Sequence, residues 1–90
     1  MAVIKVDPNS RAASSTTEDV GGGTWTYGTE ITADGKRCFS YYFHGTKLHK
    51  ATAKIGNGES NSAQPGGITA RASLVRGASY TCYTFWSNLE

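Results

Sequence analysis

His44, Lys47 and His49, in the run His-Gly-Thr-Lys-Leu-His, are the densest group of chemically capable side chains in the sequence. Two imidazoles this close raise metal binding or acid–base catalysis first. A zinc site takes at least three protein ligands even when one position stays open for chemistry, and no carboxylate or thiol stands at a spacing that completes the set. Nor does any Ser, His and acid combination stand out, because serines are scattered throughout while Glu59 is the one acid between Cys38 and Trp86. The reading is therefore non-catalytic, with no metal and no cofactor. What the three residues can do together is bind an anion. Lys47 as a point charge, with the imidazoles as hydrogen-bonding groups, forms a small cationic cluster suited to a phosphate or pyrophosphate. The plainer alternative has both histidines hydrogen-bonding their own loop, with Lys47 solvated.

Charge narrows the partner. The 90-residue chain carries a formal +2, too little by itself to indicate nucleic acid, and none is expected. Between Cys38 and Trp86 five cations (Lys47, Lys50, Lys54, Arg71 and Arg76) outnumber Glu59, whereas Asp7, Glu18, Asp19, Glu30 and Asp34 all come earlier. A basic domain after an acidic approach suits an anionic ligand or a charged envelope; ordinary solvated surface charge is the alternative. No stretch approaches the roughly 18–20 apolar residues of a membrane span, so the protein is not expected to be membrane-spanning. Ala2-Val3-Ile4 is too short for a signal-peptide core, which points to an internal protein or to a processed, mature one whose signal peptide is absent from this chain.

The elements that must position these groups are strands. Thr24 to Ile31 alternates polar and large residues, with Trp25, Tyr27 and Ile31 on one face. Ala33-Asp34-Gly35-Lys36 is a turn. Strands follow at Phe39–Phe43, Leu48–Ile55, Ile68–Arg76 and Ser79–Trp86, with no convincing helix. The expected fold class is all-β, a small antiparallel sandwich or barrel. Between Pro8 and Gly23 the one sizeable apolar side chain is Val20, so residues 1–22 read as a flexible, disordered N-terminal tail and residues 23–88 as the domain. Gly56–Gly67 (GNGESNSAQPGG) reads as a long, functional or mobile connection.

Parity then assigns faces. His49, Ala51, Ala53 and Ile55 share one side of their strand and should point inward. Paired as a hairpin around His44-Gly45, Phe39, Tyr41 and Phe43 join that inner side when the loop is odd in length, with Gly45 supplying a positive φ. The same parity puts Cys38 and Cys82 on outer faces with Ser40 and Thr84. Their spacing matches no CxxC pattern. Bonded, they would close a loop of roughly 45 residues worth on the order of 4 kcal/mol and imply an oxidising compartment; unbonded, they are thiols of a reduced protein. Phe85 and Trp86 must point to opposite faces. Trp25, Tyr27, Tyr42 and Trp86 are readable as core or as a ligand platform.

The order Gly23-Thr24-Trp25, then Tyr42 to Thr52 (YFHGTKLHKAT), then Tyr83-Thr84-Phe85-Trp86 resembles the lactococcin 972 family of bacteriocins over about 65 residues, Gly23 to Ser87. The resemblance implies a secreted antibacterial peptide folded as a β-sandwich of two antiparallel three-stranded sheets. It also implies binding of the cell-wall precursor lipid II and a block of septum formation, without pores. The positions matching the pattern are Trp25, Tyr42, His44, Gly45, Lys47, His49, Phe85 and Trp86. On this reading His44, Lys47 and His49 are the polar ligand contacts, with Trp25 or Trp86 as apolar anchor. Cys38 and Cys82 depart from the founding type, which lacks cysteine, and Gly56–Gly67 carries Glu59 where that type is basic. The competing reading is a secreted β-sandwich interaction module that works through protein contacts without antibacterial activity; a homodimer is compatible with either.

Overall fold

The computed structural model describes residues 2–4 and 14–89, the side chains from Ser15 onward. All regular structure in them is strand: β1 (Ala2–Ile4), β2 (Ser14–Val20), β3 (Gly23–Thr32), β4 (Gly35–Phe43), β5 (His49–Ile55), β6 (Gly58–Gln64), β7 (Ala70–Arg76) and β8 (Cys82–Asn88). Two antiparallel four-stranded sheets, ordered β2-β3-β4-β7 and β1-β8-β5-β6, face each other. The two three-stranded sheets expected from the family resemblance are present as β3-β4-β7 and β8-β5-β6. Each gains one outer strand from the N-terminal segment.

That gain corrects the expectation of a tail extending to residue 22. Ser14–Val20 pairs along its whole length with β3, from Ser14 opposite Thr29 to Val20 opposite Gly23. An edge strand needs no apolar stripe of its own, because ladder hydrogen bonds and a few side-chain contacts hold it. Here the Tyr27 hydroxyl donates to Glu18, and the Thr17 and Thr26 hydroxyls meet at 3.1 Å. Residues 5–13 of the expected tail lie outside the described residues. Gly21-Gly22, read as its flexible end, is instead a two-residue hairpin turn with both φ values positive, 62° and 83°, the signature of a type I′ turn.

Gly56–Gly67 is likewise not one long loop. Gly56-Asn57 turns tightly, Ile55 faces Gly58, and β6 then pairs with β5 up to Gln64 opposite His49. Its polar residues suit an exposed edge, with Lys54 reaching Glu59 at 3.2 Å.

The largest correction concerns the hinge. Its loop spans residues 44–48 and is odd, as expected, but β4 and β5 belong to different sheets. They pack face to face instead of pairing edge to edge, so the hairpin parity does not apply. Gly45 is not among the positive-φ glycines. The inner face of β4 is Lys36, Cys38, Ser40 and Tyr42, all 0% exposed, while Phe39, Tyr41 and Phe43 point outward. Phe39 is nevertheless covered, packed against Tyr41 with the Arg37 guanidinium 5.2 Å above its ring. On β5 the inward set is as expected: His49, Ala51, Ala53 and Ile55 are fully buried.

Cys38 and Cys82 therefore face inward and are bonded, with Cα atoms 5.6 Å apart. The bridge crosses from β4 to β8 and staples one sheet to the other. Stacked sheets ordinarily lie ~10 Å apart, so so short a span requires small neighbours. Ala53 and Ala72 supply them, with Ile55 and Leu74 closing the cluster. Towards the hinge the sandwich is filled by larger groups, Trp25, Tyr42, Ala51 and Ala70, flanked by Val20, Tyr27 and Trp86.

At the other end of the same inner face, Lys36 is buried and its Nζ has no partner among the described residues; Thr29 Oγ1, nearby on β3, is likewise unpaired. Burial pushes the Lys36 ammonium below its ordinary value, because removal from water disfavours the charged form. The folded-state value thus lies below the unfolded one. Between the two the unfolded chain binds more protons, so stability rises with pH across that window, up to about pH 10.4. At neutral pH the penalty is in force. Lys36→Met is expected to raise stability by about 1–3 kcal/mol at pH 7, a gain that shrinks on approaching pH 10. Thermal melting at several pH values checks both parts.

Candidate ligand-binding site at the hinge end

Residues 44–48 carry the chain from one sheet to the other across the end of the sandwich, and the side chains that flank them determine their shape. His44, 6% exposed, turns its Nδ1 back to accept hydrogen bonds from the backbone N–H groups of Thr46 (3.2 Å) and Lys47 (3.1 Å). With Nδ1 accepting, the proton of the neutral ring sits on Nε2, which faces Gly22. The His44 carbonyl accepts from Gly67 N–H at 2.9 Å, tying the 44–48 loop to the 65–69 loop. A side chain at Gly66 would strike the Thr46 backbone, so the two loops meet main chain to main chain.

His49 makes the second clamp. Its Nδ1 lies 2.7 Å from the Lys47 carbonyl and its Nε2 2.6 Å from the Ile68 carbonyl. Carbonyls only accept, so a ring nitrogen that carries a proton donates to the carbonyl it faces. Tyr42 meets the His49 ring edge-on, with centroids 5.6 Å apart, and packs against Trp86 at 5.1 Å. The Tyr42 hydroxyl donates to the Val20 carbonyl at 2.9 Å, and Asn88 Nδ2 donates to the Gly21 carbonyl at 2.8 Å. The glycine turn is thereby fastened to the last strand. Trp25 Nε1 donates to Ser40 Oγ at 2.9 Å, and Ser40 donates across the sandwich to the Phe85 carbonyl at 3.0 Å.

The five ligand residues expected from the sequence thus fall at one end of the molecule, in different positions. His44, His49 and Trp25 are buried with their ring nitrogens engaged internally or turned to the chain, Trp86 is half-buried against Tyr42, and Lys47 is exposed at the loop tip. Both imidazoles hydrogen-bond the hinge, the alternative raised from sequence, and hold the backbone that carries Lys47. No group of three or more His, Cys, Asp or Glu among the described residues could hold a metal, and these residues enclose no pocket. This end is an open surface. Sequence reasoning missed Ser40, Asn88 and the Gly21-Gly22 turn; two glycines between β-forming segments were the available signal for the last.

A family model described as bacteriocin of the lactococcin 972 type matches residues 21–86, from the first turn glycine to the tryptophan on β8. The chain belongs to the lactococcin 972 family of bacteriocins. Neither a curated protein nor a solved structure gives a significant match. Membership assigns this bacteriocin an antibacterial role in general terms and indicates a non-enzymatic peptide of a kind generally secreted. The matched span contains the whole clamp from Gly21 through His44, His49 and Ile68 to Trp86. Asn88 and β1 lie outside it, and so do all but the turn glycines of the β2–β3 hairpin's first arm. No helix among the described residues is long and apolar enough to cross a membrane.

Proposed function

We propose that this bacteriocin is secreted and acts by binding a pyrophosphate-bearing cell-wall precursor such as lipid II, thereby blocking septum and wall synthesis. The observation that carries the reading is Lys47, an exposed ammonium at the tip of a loop whose backbone is immobilised from beneath by His44 and His49. A pre-organised loop loses little conformational entropy on binding, and a lysine recognises phosphate as a point charge through charge-assisted hydrogen bonds. Between Phe43 and Lys50 there is no acid to compete for it. In this reading Lys47 touches the ligand, Trp86 borders the contact, and His44, His49 and Trp25 position it.

The test is a chemical-shift titration with lipid II or a soluble pyrophosphate analogue, paired with growth inhibition of Gram-positive cells. Perturbations should centre on residues 44–50, and Lys47→Ala should weaken binding about 10-fold while leaving the melting temperature unchanged. Added lipid II should relieve killing. Killing indifferent to added lipid II would overturn the reading, and unchanged affinity of the Lys47 variant would remove that residue from the contact.

A further inference from the structure

We infer that Lys36 and Thr29 form an internal site for a small inorganic anion, a halide such as chloride, towards the end of the sandwich opposite the hinge. Both side chains lie on the inner face of the β2-β3-β4-β7 sheet, 0% and 1% exposed. Thr29 stands opposite Cys38, and Lys36 is two residues from Cys38 along β4. The pair are thus diagonal neighbours, a separation that a long side chain spans. Lys36 Nζ and Thr29 Oγ1 are the two buried side-chain polar atoms without a hydrogen-bond partner among the described residues. An ammonium offers three donors and a hydroxyl one, so the two orphans share a single need, an acceptor between them.

Charge selects an anion over a neutral acceptor. In its row Lys36 is flanked by Ile31 on β3 and Arg76 on β7. Its charged cross-strand neighbour is therefore another cation, and like charges placed opposite each other destabilise a sheet. The described acids are engaged or turned elsewhere. Glu30 pairs with Arg37 and Glu59 with Lys54, both from outer-face positions, and Asp34 is exposed in the turn before Gly35. Glu18 and Asp19 stand opposite Trp25 and Thr24, towards the hinge. A water molecule would complete the hydrogen bonds and leave the ammonium uncompensated in a low-dielectric interior, whereas a halide supplies acceptor and counter-charge together. Burial holds the Lys36 ammonium below its ordinary value, the direction expected of a cation without a counter-charge.

Size limits the ligand to a single atom. The described residues enclose no pocket, and the Cys38–Cys82 bridge with Ile55, opposite Cys82 on the facing sheet, fills the interior beside the two orphans. An organic anion or a phosphate has no room there, so the site is distinct in place and in ligand from the open hinge end.

The test is thermal melting of the full chain at pH 7 and constant ionic strength, with sodium gluconate, whose anion is too large for the site, exchanged stepwise for sodium chloride. A ligand that binds the folded state alone raises the melting temperature, and the parent is expected to melt at least about 4 °C higher in about 0.2 M chloride than in gluconate. Lys36→Met should melt alike in both salts, so its gain over the parent is smaller in chloride. Thr29→Val, which keeps the shape and lacks the hydroxyl, should lose about half of the chloride response. Lys47→Ala should keep all of it, which separates this site from the hinge. An equal response in the parent and Lys36→Met, a parent indifferent to the exchange, or a response lost in Lys47→Ala overturns the internal site.

Discussion

Removing the Cys38–Cys82 bridge, by reduction or by the Cys38→Ala, Cys82→Ala pair, is expected to destabilise the fold by about 4 kcal/mol. A sequence separation of 44 closes a loop of about 45 residues, and the chain-entropy model puts its constraint on the unfolded state near that value. In a chain this short the loss is a large fraction of total stability. At roughly 4–8 °C per kcal/mol for domains of this size, the melting temperature should fall by about 15–30 °C. Position adds to the effect. The bridge is the covalent tie between the two sheets, set among the small side chains of Ala53 and Ala72, and the cluster around it holds little apolar bulk to replace it. Melting curves with and without reductant check this, and a shift below about 5 °C would show that packing alone joins the sheets.

The second large effect is expected at Gly21. Its φ of 62° suits glycine, and an L-residue there pays roughly 1–2 kcal/mol for the left-handed conformation. A Cβ would also overlap the Trp86 ring and come within 2.7 Å of the Tyr42 hydroxyl, and overpacking of this kind adds about 1–3 kcal/mol. Gly21→Ala should therefore destabilise by about 3 kcal/mol, with altered tryptophan fluorescence as Trp86 is displaced. Gly45→Ala is the internal control. Its φ is not positive and nothing lies within 4 Å of the added methyl, so its cost should stay within about 0.5 kcal/mol. Similar losses at both sites would show that the Gly21 turn is not packed as described. Because Gly21 roofs the Tyr42–Trp86 pair and Gly22 faces His44, the Gly21 variant should also loosen the hinge and weaken binding there.

How much of this was legible beforehand differs by element. Strand periodicity marked β3, β4, β5, β7 and β8, because half-buried strands must alternate residue types. It marked the inward set on β5 for the same reason; the Asp-Gly dipeptide marked Ala33-Asp34-Gly35-Lys36 as a turn, of which Ala33-Asp34 form the turn and Gly35-Lys36 already open β4. It could not reveal β2 or β6. Both are edge strands whose stability comes from backbone ladders and scattered polar contacts such as Tyr27 with Glu18 and Lys54 with Glu59, and neither needs an apolar face to exist. The candidate site was visible as a cluster, since His44, Lys47 and His49 lie within six residues. Their division of labour was not. An imidazole is a donor, an acceptor or both, and only the position of the Ile68 carbonyl and of the Thr46 and Lys47 amides decided that both rings face the loop and leave Lys47 outward.

The residues by themselves determined that this is an all-β protein with a conspicuous basic hinge of lactococcin 972 type, because alternation and motif order are local properties. Tertiary structure alone decided which faces meet. Parity along a strand is absolute only after its sheet partner is known, and β4 and β5, adjacent in sequence, lie in opposite sheets. That single assignment turns Cys38, Ser40 and Tyr42 inward, permits the disulfide, moves Phe39, Tyr41 and Phe43 to the outer face, and makes the six-residue hinge a bridge between sheets and not the tip of a hairpin.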